Sequence, residues 1–92
     1  MSKELLLTMV VKQEDKGYSV LCPELNVASQ GETFEESISN IKEATELYIE
    51  SAEQLGFMDE VLDQLGILKQ DFNKGQIFPK VITANVPIRI AA

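Results

Sequence analysis

Few side chains in this chain are suited to covalent chemistry. It has no histidine and a single cysteine, Cys22. Without an imidazole, neither the Ser-His-Asp nor the Cys-His arrangement can be assembled, and imidazole–metal chemistry is excluded with them. Cys22 closes the apolar-rich stretch Tyr18-Ser19-Val20-Leu21-Cys22 and reads as a small buried residue, as free cysteines usually are. No glycine-rich phosphate loop is present. Carboxylates remain, and Glu43, Glu46 and Glu50 stand at helical spacing, where they could in principle hold Mg²⁺. That spacing places them on the face opposite the apolar stripe of their helix, where water competes and no wall closes a site. No metal or cofactor is therefore expected, and the chain reads as non-enzymatic. A carboxylate-dependent nuclease is the remote alternative. Tyr18, Tyr48, Phe34, Phe57, Phe72 and Phe78 are not interleaved with bases, so they suggest no stacking platform for RNA.

Binding chemistry is left, and charge constrains it. The formal net charge is −7, which argues against direct binding of DNA or RNA. Between Glu32 and Glu60 nine acids face one base, Lys42, so this segment carries −8 and the rest of the chain +1. The plain reading is a solvated helix exterior. The sharper one is a surface that attracts a basic protein partner. One cysteine supports no disulfide framework, which fits the cytoplasm. No apolar run approaches the roughly 18 residues of a membrane helix, and Met1-Ser2-Lys3-Glu4 leads into a strand pattern without the charged, apolar and small-residue regions of a leader.

The element positioning these groups is a helix predicted over Thr33 to Leu55. Thr33 is the expected N-cap, with Glu36 placed to complete a capping box by reaching back to the Thr33 amide. Phe34, Ile38, Ile41, Thr45, Tyr48, Ala52 and Leu55, with Ala44 and Leu47 beside them, make an apolar stripe about half a cylinder wide. Ile38, Ile41, Leu47 and Tyr48 are expected to be buried with Leu7, Val10 and Val20. Gly56 ends the pattern.

Three strands are predicted before that helix. Leu5 to Val11 is an apolar run of strand length. A polar loop ending at Gly17 makes a hairpin to Tyr18–Cys22. Pro23 stops that strand, Glu24-Leu25-Asn26 turns the chain, and Val27 to Gln30 is the third strand; Gly31 is expected to free the backbone for the swing into the helix. After Gly56 comes a short helix, with Asp59 as expected cap and Gly66 as stop. Asn73-Lys74-Gly75 is a turn signal. Residues 81–90 alternate cleanly: Ile82, Ala84, Val86, Ile88 and Ile90 share one face, and Pro87 places the strand at a sheet edge. The fold class is α+β: a small antiparallel sheet in β-β-β-α-α-β order with one long helix across it. It is read as one domain, 1–92, with a core over 3–55, a second helix over 58–66 and a terminal strand over 81–90.

The segment Gly17 to Glu50 resembles the HicB family of antitoxins. The residues that carry the resemblance are Gly17-Tyr18, Pro23-Glu24-Leu25, Ser29-Gln30-Gly31-Glu32-Thr33, Glu35-Glu36-Ser37 and Asn40-Ile41-Lys42-Glu43-Ala44. They cover about a third of the chain. The resemblance implies a truncated ribonuclease H-like sheet without catalytic carboxylates. It also implies the task of binding and silencing a small, basic, RNA-cleaving HicA-like toxin. Two departures stand out. Asn26-Val27-Ala28 replaces the family's usual residues after Pro-Glu-Leu, and the stretch after Gly66 has a strand pattern rather than a basic DNA-binding helix pair. The chain therefore looks like a short, stand-alone member. The toxin-binding residues are expected at Glu24, Asn26, Gln30 and Glu32, where the shared residues cluster. An apolar terminal strand beside a small sheet predicts a homodimer or a dimer of dimers, with Ile82, Ala84, Val86, Ile88 and Ile90 at the interface. The alternative function is a homo-oligomeric interaction or scaffold domain without a toxin.

Overall fold

A computed structural model describes residues 4–68, 76–77 and 82–91. Its elements run β1 (Glu4–Leu5), β2 (Val10–Glu14), β3 (Gly17–Cys22), β4 (Val27–Gly31), α1 (Phe34–Gln54), α2 (Met58–Leu65) and β5 (Gln76–Ile77). The architecture is α+β. An antiparallel sheet of order β2-β3-β4 lies under α1, and a separate parallel pair joins β1 to β5.

The order differs from the expected β-β-β-α-α-β because the apolar run Leu5–Val11 is not one strand. It breaks over Leu6–Met9, where the Thr8 amide donates to a carboxylate oxygen of Glu24 at 2.9 Å instead of to a ladder. The hairpin is also tighter than the loop predicted. β2 reaches Glu14, β3 starts at Gly17, and Asp15-Lys16 alone make the turn. Gly17 has φ +137°, and a Cβ there would lie 2.6 Å from the Gly31 carbonyl oxygen.

In register, Val11, Val20 and Ser29 stand side by side on the face toward α1, while Val10, Leu21 and Ala28 share the open face. Val10 is accordingly 53 % exposed, not buried as expected. Gly31 is needed for a reason other than chain reversal. Its φ is ordinary, but a Cβ would come within 2.5 Å of the Ser37 amide nitrogen, so only glycine lets β4 pass this close to the first turns of α1.

Thr33 caps α1 in extended conformation, its hydroxyl accepting from the Glu36 amide at 3.0 Å. The returning half of the capping box lands one residue early: Glu36 accepts from the Glu32 amide at 3.3 Å, not from Thr33. Both helices end in a Schellman arrangement around a left-handed glycine. In α1, Gly56 N–H donates to Glu53 O and Phe57 N–H to Ala52 O; in α2, Gly66 N–H donates to Asp63 O and Ile67 N–H to Leu62 O. Phe57, rather than Asp59, is the N-cap of α2, and it offers no side-chain bond.

The core contains Val20, Cys22 and Leu25 from the sheet side, Ile41 and Ala52 from α1, and Val61, Leu62, Leu65 and Ile67 from the α2 region. The buried line along α1 is Ser37, Ile41, Thr45 and Ala52. Ile38 and Leu7 are half-buried. Leu47, 54 % exposed, and Tyr48, 39 % exposed, lie outside the core, contrary to expectation. The apolar arc of the helix is wider than the three narrow strands beneath it, so its flank runs past the sheet.

Residues 82–91 belong to no strand, against the expected strand over 81–90; Ile82 is 94 % and Ile90 84 % exposed. Alternation makes a segment competent to be a strand, but a strand also needs a ladder partner, and within the described residues of one chain this segment has none. The turn signal at Asn73-Lys74-Gly75 lies outside the described residues. No described helix is long and apolar enough to cross a membrane.

Candidate protein-docking site

The turn between β3 and β4 is built inward. Pro23 ends the β3 ladder, Leu25 drops into the core at 3 % exposure, and Asn26 takes φ +56°, a left-handed conformation that asparagine tolerates. Glu24, only 6 % exposed, folds back under the chain. Its carboxylate accepts from the Thr8 amide at 2.9 Å and from the Cys22 thiol at 3.7 Å. Burial alone pushes its pKa up, but the hydrogen bonds from Thr8, with smaller help from its own backbone and Cys22, outweigh burial and hold it below the usual 4.5. Burial, backed by the Glu24 charge, in turn pushes the Cys22 thiol above its usual 9.0. Glu24 thus ties the irregular Leu6–Met9 segment to the turn, and Asn26 beside it is exposed.

At the other end of β4, roughly 13 Å away at about 3.3 Å per residue, the tip of the β2–β3 hairpin meets the first turns of α1. Here an open polar recess of about 600 Å³ is lined by Glu14, Lys16, Tyr18, Gln30, Glu32, Glu36 and Asn40. Three carboxylates face one ammonium. The walls are braced. Asn40 Nδ2 donates to the Gln30 carbonyl at 2.8 Å, pinning α1 to β4. Ser19 Oγ donates to Glu14 Oε1 at 3.0 Å. Tyr18 and Phe34 meet edge to face at 6.3 Å between centroids. Of the four residues expected at a partner site, Gln30 and Glu32 line this recess, whereas Asn26 and Glu24 sit at the far end of the strand.

Of the recess residues named above, Glu14, Lys16, Tyr18, Glu36 and Asn40 are those that the sequence reading left without a site role. Asn40 carried a signal: asparagine inside a helix is a poor helix former unless its side chain finds a backbone group to bond.

The acids of α1 extend this surface along the helix. Glu43, Glu46 and Glu50 are exposed, and Glu46 pairs with Lys42 at 3.7 Å, a contact open enough to water to add little stability. A second depression, apolar, lies at the α1–α2 junction and is lined by Leu47, Tyr48, Ala52, Leu55, Phe57 and Val61. The arrangement sets a hydroxyl and a thiol each against a carboxylate, Ser19 on Glu14 and Cys22 on Glu24, the second pair buried. It can present negative charge on a rigid helix and strand end, and apolar area at the helix junction.

Comparison with known proteins gives a consistent picture. Residues 7–89 match the family described as the HicB-like antitoxin of bacterial toxin-antitoxin system. A UPF0150 protein from Synechocystis is 57 % identical over 44 residues, 47 % of this chain and 56 % of that protein. The chain therefore spans little more than half the length of that relative. A UPF0150 protein from Helicobacter pylori is 37 % identical over 59 residues, 61 % of this chain and 82 % of that protein. No solved structure matches.

Proposed function

This chain belongs to the HicB-like antitoxin family of bacterial toxin-antitoxin systems, and from that premise we propose that it binds and occludes a small, basic, RNA-cleaving toxin of the HicA kind. Membership of the family carries the reading, because it suggests a toxin-antitoxin role in general. Two physical features support it. Silencing by occlusion needs shape and charge rather than catalytic groups. A toxin that holds RNA presents positive charge, which the recess with Glu14, Glu32 and Glu36, continued by Glu43, Glu46 and Glu50, complements.

In this reading the contact centres on Gln30 and Glu32, with Asn26 at its margin and Glu24 acting from beneath as a support of the turn. The truncated ribonuclease H-like layout, the single-domain organisation, a cytoplasmic location and the lack of enzymatic activity belong to the same proposal. The test is co-expression with any adjacent reading frame for a basic chain, followed by affinity capture and an RNA-cleavage assay. Co-purification with loss of cleavage supports the reading; a basic neighbour that cleaves RNA undiminished in the presence of this chain overturns it.

One observation favours a second reading, a homo-oligomeric domain with no toxin. The apolar face of residues 82–90 is exposed in the single chain and calls for a protein partner of its own.

A further inference from the structure

Three features along one flank of α1 run against local stability. The hydroxyl of Thr45, a residue 4 % exposed, has no hydrogen-bond partner among the described residues. Glu50 and Glu53 stand near the C-terminal end of the helix, where the helix dipole disfavours negative charge, and no base in the last turn offsets them. Glu46, Glu50 and Glu53 follow one another at steps of four and three residues, so like charges sit side by side. Locally unfavourable choices that gather in one place mark a site where function overrides stability. These gather at a cleft of about 700 Å³ between α1 and residues 4–9. We propose that this cleft docks a segment of a protein partner that carries apolar and basic side chains together, with the Thr45 hydroxyl as its polar anchor.

The cleft follows from the path of the chain. Between Leu6 and Met9 the backbone joins no ladder, and the Thr8 amide is drawn to Glu24 instead. Leu5, Leu7, Met9 and Ile49 are left half-buried along the cleft, with Thr45 among them. At its edge stand Glu4, Glu46, Glu50 and Glu53, all exposed. Lys42, the base on this edge, is committed to Glu46 at 3.7 Å. The carboxylates repel an acidic ligand, and a wholly polar one leaves the apolar residues unmatched. A segment with apolar and cationic side chains satisfies both demands. Its backbone also supplies the hydrogen-bonding group that Thr45 lacks. From Lys42 to Glu53 the helix rises about 16 Å at about 1.5 Å per residue, the length of about five extended residues.

This site is not the polar recess. Asn40 and Lys42 lie about 200° apart around the helix, so the recess and the cleft open on opposite flanks of α1. The inference goes beyond the antitoxin reading and does not rest on it. No toxin enters its test, so either can fail alone.

The probe is a capped peptide of three Leu-Lys repeats, titrated into the full-length protein and followed by backbone amide resonances. Three Ser-Lys repeats, equal in charge and length, are the control. The Leu-Lys peptide should bind at least about tenfold tighter than the control, shifting Leu7, Thr45 and Ile49 more than Gln30 and Glu32. Glu50→Lys combined with Glu53→Lys should weaken it at least about tenfold, whereas Glu32→Lys combined with Glu36→Lys should leave it within about twofold. Thr45→Val should weaken it about two- to tenfold while raising the urea midpoint, a pairing that a merely structural hydroxyl would not produce. Equal binding of the two peptides, largest shifts at the recess, or an affinity indifferent to Thr45→Val overturns the inference. So does a fall in the sedimenting mass of the peptide-free protein on reversing Glu50 and Glu53, which would make a second copy the occupant.

Discussion

Glu24 shows how a single side chain can hold a turn. Its carboxylate is the acceptor for the Thr8 amide, buried where water cannot replace it. Glu24→Ala should therefore cost about 1–3 kcal/mol, the usual penalty for stranding a buried donor, read as a lower urea midpoint. Glu24→Gln keeps an acceptor and should cost less. The pH dependence follows from the lowered pKa. A carboxyl held below 4.5 contributes stability that is present above 4.5 and is lost as pH falls through the folded value. In acid titrations of stability, Glu24→Gln should flatten that part of the curve. Thr45 is the converse case: its hydroxyl is buried in α1 without a hydrogen-bond partner among the described residues, so Thr45→Val should raise stability by about 1 kcal/mol, read as a higher urea midpoint. The burial of Cys22 was legible from its apolar surroundings. The role of Glu24 was not, because its partner lies on another segment and no local pattern links the two.

At the scale of elements, the start and stop of α1 could be read directly, since Thr33, Glu36 and Gly56 each act through neighbours in sequence. Its rotation could not. The apolar stripe admits several phases, and the width of the sheet selects among them. Ile41, fully buried, should cost about 2–5 kcal/mol on truncation to alanine, while Leu47→Ala should cost well under half as much. Equal costs in denaturant titrations would show that the helix is turned differently. Thr33→Ala should cost about 1 kcal/mol through loss of the cap. Gly31→Ala should cost about 1–3 kcal/mol from overpacking between β4 and α1. The break in the first strand was hidden for the same reason as Glu24: an apolar run marks burial but does not say which donor the backbone will find. The terminal strand was read from alternation, but residues 82–91 form none: alternation marks a possible face and does not say which ladder, if any, the backbone joins.

For the whole molecule, the uneven charge is the feature that sequence alone displays best, because counting needs no coordinates. Where it becomes a surface depends on the fold. The strand length of β4 separates Asn26 from Gln30 and Glu32, and the hairpin brings in Glu14, which is distant in sequence. If the acidic recess steers a basic partner, association should slow as salt rises, since exposed charges are screened beyond about 8–10 Å. Glu32→Lys combined with Glu36→Lys should slow it further at low salt. Stopped-flow rates unchanged by both salt and charge reversal would move the contact to another face.

The pairing of β1 with β5 also sets a schedule. It joins Glu4 to Gln76 and Leu5 to Ile77, nearly opposite ends of the chain, whereas β2, β3, β4 and α1 connect through short links. Closing the long loop is entropically costly and is rewarded by only two residue pairs. On a ribosome the hairpin, β4 and the capped helix can assemble while the C-terminal part is still being made, and the first strand must wait for the last. Hydrogen exchange should find the Leu5 amide opening well before that of Val20. A chain born ahead of its second sheet would thus have its acidic recess in place before β1 and β5 have met.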